Sequence, residues 1–231
     1  MAKYNSLSHT LTKAECWLGW GYLLFQLFFL PTLLVMANSM LQYPLNSSWI
    51  NFLYFCINFL AVLTIFRKFL GRSLSHMGSN LFRTLKGAFL GFCVYYVSTI
   101  AVNNTIAYLY PGFSNINDTN VAALAQMEYL PMVIGTVLLV PVAEEVLFRG
   151  VVFHSLYRVN RGLGYILSAA IFCAVHVIGY IGSTDFLTLA LCYIQYLPAS
   201  LCLAWAYTEA DNIFAPILIH IVVNTMVILA L

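Results

Sequence analysis

Apolar residues run along this chain in blocks of roughly twenty, separated by short polar stretches. Such blocks lie near 17–37, 49–66, 86–109, 131–153, 163–181, 186–207 and 213–231. A helix rises about 1.5 Å per residue, so ~20 apolar residues match the ~30 Å hydrocarbon core of a bilayer. The blocks show no two-residue alternation of the kind that a membrane barrel strand requires. A helix also satisfies its own backbone hydrogen bonds, which lipid cannot do for it. The pattern therefore predicts an all-α polytopic membrane protein, about seven transmembrane helices in a single domain over residues 1–231. The first block, Trp17 to Ala37, is longer than the core of a cleaved secretory signal, so it is read as a retained span.

Composition reinforces the membrane reading. Hydrophobic residues make up 62% of the chain and charged residues only 8%. A soluble domain carries about 25% charged residues, so lipid must cover what water would otherwise solvate. The formal net charge of +2, with no basic arm, is too small to suggest a nucleic-acid partner, and none is expected. Cys16, Cys56, Cys93, Cys173, Cys192 and Cys202 sit in or beside apolar blocks, without a Cys-x-x-Cys pair, and read as packing residues.

The cationic residues set an orientation. Lys3 and Lys13 precede the first block; Arg67, Lys68, Arg72, Arg83 and Lys86 separate the second and third; Arg158 and Arg161 separate the fourth and fifth. Segments 38–48, 110–130 and 182–185 contain neither Lys nor Arg. The amino terminus is therefore expected in the cytoplasm and the carboxyl terminus outside. Glu209 and Asp211 are the exception, because their loop then falls on the cytoplasmic side. Segment 110–130, rich in Asn, reads as an external loop. Gly87 and Gly91 form a G-x-x-x-G step suited to close helix packing.

Ionisable groups within a bilayer are costly, and each one retained asks for a reason. The fourth block carries Glu144, Glu145 and Arg149. Glu145 and Arg149 are four residues apart, on one helix face and in the favourable order for an ion pair. Glu144 points about 100° away and needs a partner from another helix. The fifth block carries Phe172 and His176, and the seventh His220 and Asn224, each pair again four apart. At ~1.5 Å per residue, Glu144 and His220 fall roughly 11–14 Å deep and His176 roughly 20 Å. One buried ion pair or one histidine is more often scaffold, but three separate helices bearing the cost argues for function. His9, His76 and His154 are placed in tails or loop edges and given no role.

Such a cluster has a chemical use. A carboxylate can take a proton from water, while imidazole and amide groups orient the nucleophile and hold an oxyanion. Glu144, His176 and His220 also match a catalytic zinc ligand set with an open position for water. The sequence leaves both routes open. It shows no Ser or Cys in a triad arrangement, which favours direct attack by water.

At these residues the chain resembles the CPBP intramembrane proteases, which include CAAX prenyl proteases and bacterial Abi proteins linked to bacteriocin self-immunity. The family pattern is E-E-x-x-x-R, F-x-x-x-H and H-x-x-x-N on successive core helices. Here it reads Glu144-Glu145-Val-Leu-Phe-Arg149, Phe172-Cys-Ala-Val-His176 and His220-Ile-Val-Val-Asn224, in order, within a core over 131–231. Asp211 to His220 also resembles the family's approach to its last motif.

The resemblance implies an intramembrane endopeptidase of a bacterial cell membrane, acting on a membrane-associated peptide or protein in peptide maturation or bacteriocin self-immunity. Glu144 would activate water and His176 would help to hold it. His220 with Asn224 would orient it or form the oxyanion hole. Glu145 and Arg149 would support the site and Phe172 would shape the pocket. The family includes members described as metalloproteases and as glutamate proteases, so zinc and no cofactor are both compatible with it. The chain stops seven residues after Asn224, so a further helix of some relatives is missing, and its length suits the short bacterial branch. A non-catalytic immunity or scaffold protein that binds a toxin is the alternative. An ion-coupled transporter is disfavoured by the lack of repeated halves.

Overall fold

The computed structural model describes Leu7 and residues 10–230; Lys3 and His9, weighed above, and Leu231, at the end of the last block, lie outside the described residues. The helices are α1 (Lys13–Phe28), α2 (Leu30–Ser39), α3 (Ser47–Ile65), α4 (Arg67–Ser79) and α5 (Leu81–Leu109). They continue as α6 (Ile116–Met127), α7 (Tyr129–Val159), α8 (Arg161–Ile178), α9 (Phe186–Ala210) and α10 (Phe214–Leu229). No strand occurs among the described residues, so the all-α reading holds. This is an integral, multi-pass membrane protein: α3, α5, α7, α8 and α9 are each long and apolar enough to cross a bilayer.

Two of the expected spans take other forms. The first block is two helices bent by 47° at Phe29, with Pro31 in the first turn of α2. Proline has no N–H to continue the ladder, which gives the break a local cause. The last block forms a 16-residue apolar helix, shorter than a full span. Segment 110–130, expected as a loop, contains α6, whose start is fixed by Asn115. The Asn115 side-chain oxygen accepts from the backbone N–H of Asn117 at 2.9 Å and of Asp118 at 3.4 Å.

Side-chain caps set four other helix starts. Thr12 and Glu15 form a reciprocal capping box on α1, and Asn46, Asn160 and Asp185 cap α3, α8 and α9. Glu15 reaches further. Its Oε1 accepts from the backbone N–H of Phe69 at 2.8 Å, satisfying an otherwise unpaired donor in the first turn of α4. Arg72 stands 3.5 Å from its Oε2.

The segment 208–212, the exception in the orientation argument, lies at the basic end of the bundle. Arg83 donates to the Glu209 carbonyl at 3.0 Å and stands 3.9 Å from Asp211. Asp211 adopts φ 53° to end α9, and Asn212 then donates to the Ser73 carbonyl at 2.9 Å.

Helix α7 departs from α geometry twice, over Gly135–Leu139 and Val146–Phe153, where the backbone is π-helical. Glu144 and Glu145 lie in the short α stretch between these segments. Such wide turns often mark functional positions, because they shift the helix face by one residue and loosen the carbonyl ladder. The core is built around α7: Val146, Val151, Val152 and Phe153 are fully buried. His154 is buried with them at 4% exposure, not at a loop edge as its place in sequence suggested. The six cysteines are free and at least partly buried, as packing residues should be.

The G-x-x-x-G step packs within this chain. A Cβ added at Gly87 would come 2.9 Å from the Ala210 Cβ, and one at Gly91 would come 2.7 Å from both Ala206 Cβ and Ile219 Cδ1. Gly91→Leu should therefore push α5 off α9 and α10 and cost about 1–3 kcal/mol. Gly71→Ala, where nothing lies within 4 Å, should be neutral. Thermal unfolding of the two detergent-solubilised proteins checks both; equal midpoints would refute the packing role.

Candidate active site

The motif residues of three helices converge at the floor of one cavity of about 640 Å³. Glu145 is completely buried, and its Oε1 accepts from two donors. Arg149 Nη1 lies 3.1 Å away, the spacing-derived ion pair, and His220 Nδ1 of α10 lies 2.8 Å away. Its Oε2 has no partner among the described residues. Because an ionised carboxylate can only accept, the His220 proton must sit on Nδ1. Its Nε2 is left as the second polar atom of the ring, and His220 lines the cavity.

Arg149 is held on three sides. Besides Glu145, it donates from Nη2 to the Ser200 carbonyl at 3.3 Å, and its guanidinium lies 4.2 Å from the centre of the Phe172 ring. Phe172 is itself packed edge-on against Phe148 at 5.1 Å. A guanidinium suits this place because it offers planar donors and an aromatic-compatible face at once.

Glu144 turns the other way, into the cavity, with 27% of its side chain exposed. Its Oε2 is enclosed but makes no hydrogen bond among the described residues. The His176 Nε2 faces it at 3.9 Å, too long for a direct bond. The other nitrogen of His176, Nδ1, lies 2.8 Å from the Phe172 carbonyl. A carbonyl only accepts, so Nδ1 carries a proton and Nε2 is the nitrogen that faces Glu144. The two side chains face one another across a gap.

Asn224 lies one helical turn beyond His220 and lines the same cavity. Its Nδ2 donates to the Thr136 carbonyl at 2.8 Å. Thr136 belongs to the first π-helical segment, so this bond ties α10 to the irregular part of α7. One amide hydrogen of Asn224 remains for another acceptor.

A zinc site does not fit these residues. Among the described residues no three His, Cys, Asp or Glu side chains converge to hold a metal ion. The His220 Nδ1–H bonds Glu145 and leaves Nε2 free, but that nitrogen does not converge with Glu144 and His176 into such a group.

Residues 126–226 match the family model described as type II CAAX prenyl endopeptidase Rce1-like. Over this segment the chain is CPBP-like. Over 130 residues it is 27% identical to the Bacillus subtilis (strain 168) protein named "Putative membrane peptidase YdiL", covering 55% of this chain and 49% of that protein. Over 87 residues it is 29% identical to the Lactococcus lactis subsp. lactis (strain IL1403) "UPF0177 protein YxdF", covering 38% and 42%. The matched stretch thus spans about half the length of these curated relatives, or less. No solved structure matches. The CPBP-like segment takes in α7 to α10 almost entirely, and with them every motif residue.

The cavity also has walls and a mouth that the motifs do not contain. Tyr196 of α9 stacks on His176 with ring centres 4.3 Å apart. Its hydroxyl donates to Asp118 at 3.3 Å and accepts from Asn117 at 3.0 Å. Asn117 in turn accepts from Tyr180 at 3.1 Å. Desolvation in this concave mouth raises the Asp118 carboxyl above the usual range, opposed by the Tyr196 bond and by His176. Sequence reasoning missed Asp118 and Tyr196. The Asn-rich composition of 110–130 was the available signal, but it was read as exposed loop.

Removing Arg149 would leave the Glu145 carboxylate buried with one donor. Arg149→Ala should cost about 3–5 kcal/mol, and the paired change Glu145→Leu with Arg149→Met should cost much less. Denaturant or thermal unfolding of the three proteins in one detergent checks the order; a paired variant no more stable than Arg149→Ala would refute it.

Proposed function

We propose that this protein is an intramembrane endopeptidase that cleaves peptide bonds with water activated by Glu144. The observation that carries this reading is the 3.9 Å gap between Glu144 Oε2 and Nε2 of His176. With the imidazole taken as the neutral Nδ1–H tautomer, one water can donate to both at ~2.8 Å each. Such a water has its lone pairs turned away from both side chains and toward the cavity.

The reaction then follows from the protein's own groups. Glu144 accepts a proton as the water oxygen bonds to the scissile carbonyl carbon, giving a tetrahedral intermediate. The remaining N–H of Asn224 is the donor for the developing oxyanion, while the His220 Nε2 lone pair helps to orient the water. Collapse breaks the C–N bond, and Glu144 returns its proton to the leaving amine. No acyl-enzyme forms, and no residue is consumed. Glu145 and Arg149 act only through His220: their bonds fix its ring and the position of its proton.

The substrate is a membrane-associated peptide or protein, reached from the polar face where α6 and the end of α8 meet. The basic end of the bundle, with Lys13, Arg72, Arg83 and Arg158, faces the cytoplasm in this reading. The names of the relatives support a membrane peptidase, and the matching motif residues support the roles.

Glu144→Gln should abolish cleavage while leaving insertion and thermal stability nearly unchanged, because its Oε2 makes no bond in the resting site. Comparing peptide termini from cells that carry the wild-type or Glu144→Gln protein at equal abundance checks this. Identical termini, with full biological rescue by the variant, would replace proteolysis with binding.

A further inference from the structure

The cavity's charge is one-sided. Its walls include the carboxylates of Glu144 and Asp118 and neither Lys nor Arg. The rest of the chain sharpens this. Lys and Arg occur only within 3–13, 67–86 and 149–161, and none lies in the segments that form the mouth. Segments 38–48, 110–130 and 182–185 carry Asp118, Glu128 and Asp185 as their only formal charges, and of these Asp118 lines the cavity. Membrane sidedness accounts for missing cations on one face, but it does not call for acids there, because acidic residues contribute little to that rule.

Distance adds to the argument. Arg149 is the nearest formal cation on α7, but it is buried behind Glu145 and neutralised by it. Among the described residues Asp118 has a hydroxyl bond from Tyr196 and no ion pair with Lys or Arg, and it is exposed at the mouth. Tyr95 and Tyr196 add aromatic surface at the same place, which suits an ammonium or guanidinium group better than a carboxylate. Field lines from a carboxylate are focused by the low-dielectric walls of such a cleft.

We infer that the cavity selects peptides with a basic side chain close to the scissile bond, held at Asp118, and rejects acidic ones. The inference rests on the endopeptidase reading for the word scissile, but its electrostatic content concerns binding alone. A free α-amino group offers the same chemistry as a lysine, so the two sources are separated experimentally.

The probes are fluorescent decapeptides of one apolar frame with a central Lys, norleucine or Glu, each with a free and an acetylated amino terminus. The full chain is placed in zwitterionic lipid nanodiscs, so that the membrane does not itself attract cations. Binding is measured to the Glu144→Gln protein and cleavage is measured with wild type. The acetylated Lys peptide should bind about tenfold tighter than the Glu peptide, with norleucine between. The gap should shrink in Asp118→Asn and in high salt, which screens an exposed charge. Equal affinities, a preference for Glu, or a gap unchanged in Asp118→Asn would overturn the inference. An advantage that vanishes on acetylation would overturn the side-chain assignment in favour of the amino terminus. Cleavage without charge preference would leave the protease reading standing and sink this one. Charge-selective binding without any cleavage would do the reverse.

Discussion

The buried carboxylate of Glu145 is the constraint on which the rest of the site depends. An anion at zero exposure is tolerable only with donors in place, and here two helices supply them through Arg149 and His220. The Arg149 guanidinium recruits further surroundings, the Ser200 carbonyl of α9 and the ring of Phe172 on α8. One acid thus brings α7, α8, α9 and α10 to a common point. Helix association in lipid has little hydrophobic driving force, so interhelical polar contacts and close packing must do this work.

Adjacent glutamates take opposite parts because the helix turns by about 100° between them. Glu145 faces inward, and its Oε1 is held by two donors. Glu144 faces the cavity with an enclosed oxygen that nothing bonds among the described residues. The histidines divide in the same way: His220 is oriented by a carboxylate, His176 by a backbone carbonyl. The pair Glu144–His176 is poised for a molecule between them, whereas Glu145–His220 is closed. In the proposed mechanism, structure and reactivity are separated by one residue of sequence.

Much of this arrangement is legible in the sequence, and the rest is not, for physical reasons. The spacing of Glu145 and Arg149 foretells their contact, because i,i+4 neighbours on a helix must meet. Length and apolarity identify the long helices for the same direct reason. The pairing of His220 with Glu145 depends on how α10 docks on α7, which no local pattern encodes. The π-helical segments of α7 are equally silent, since a uniformly apolar stretch has no periodicity to betray an extra residue. Asn115 is a readable helix start, yet the polar surroundings of α6 masked it as a loop. Glu15 was passed over because it lies beside charged neighbours at the edge of an apolar block, where acids are ordinary.

Glu15 also carries a consequence for biogenesis. Its carboxylate is nearly buried, and one of its donors, the backbone N–H of Phe69, lies 54 residues downstream. When α1 leaves the ribosome, that acid has only its own cap at Thr12. Its remaining partners arrive after α3 has been made and α4 has begun to wind. The surroundings of this acid are therefore complete only once α4 is in place against α1. The order of synthesis is in this way written into a single hydrogen-bond acceptor.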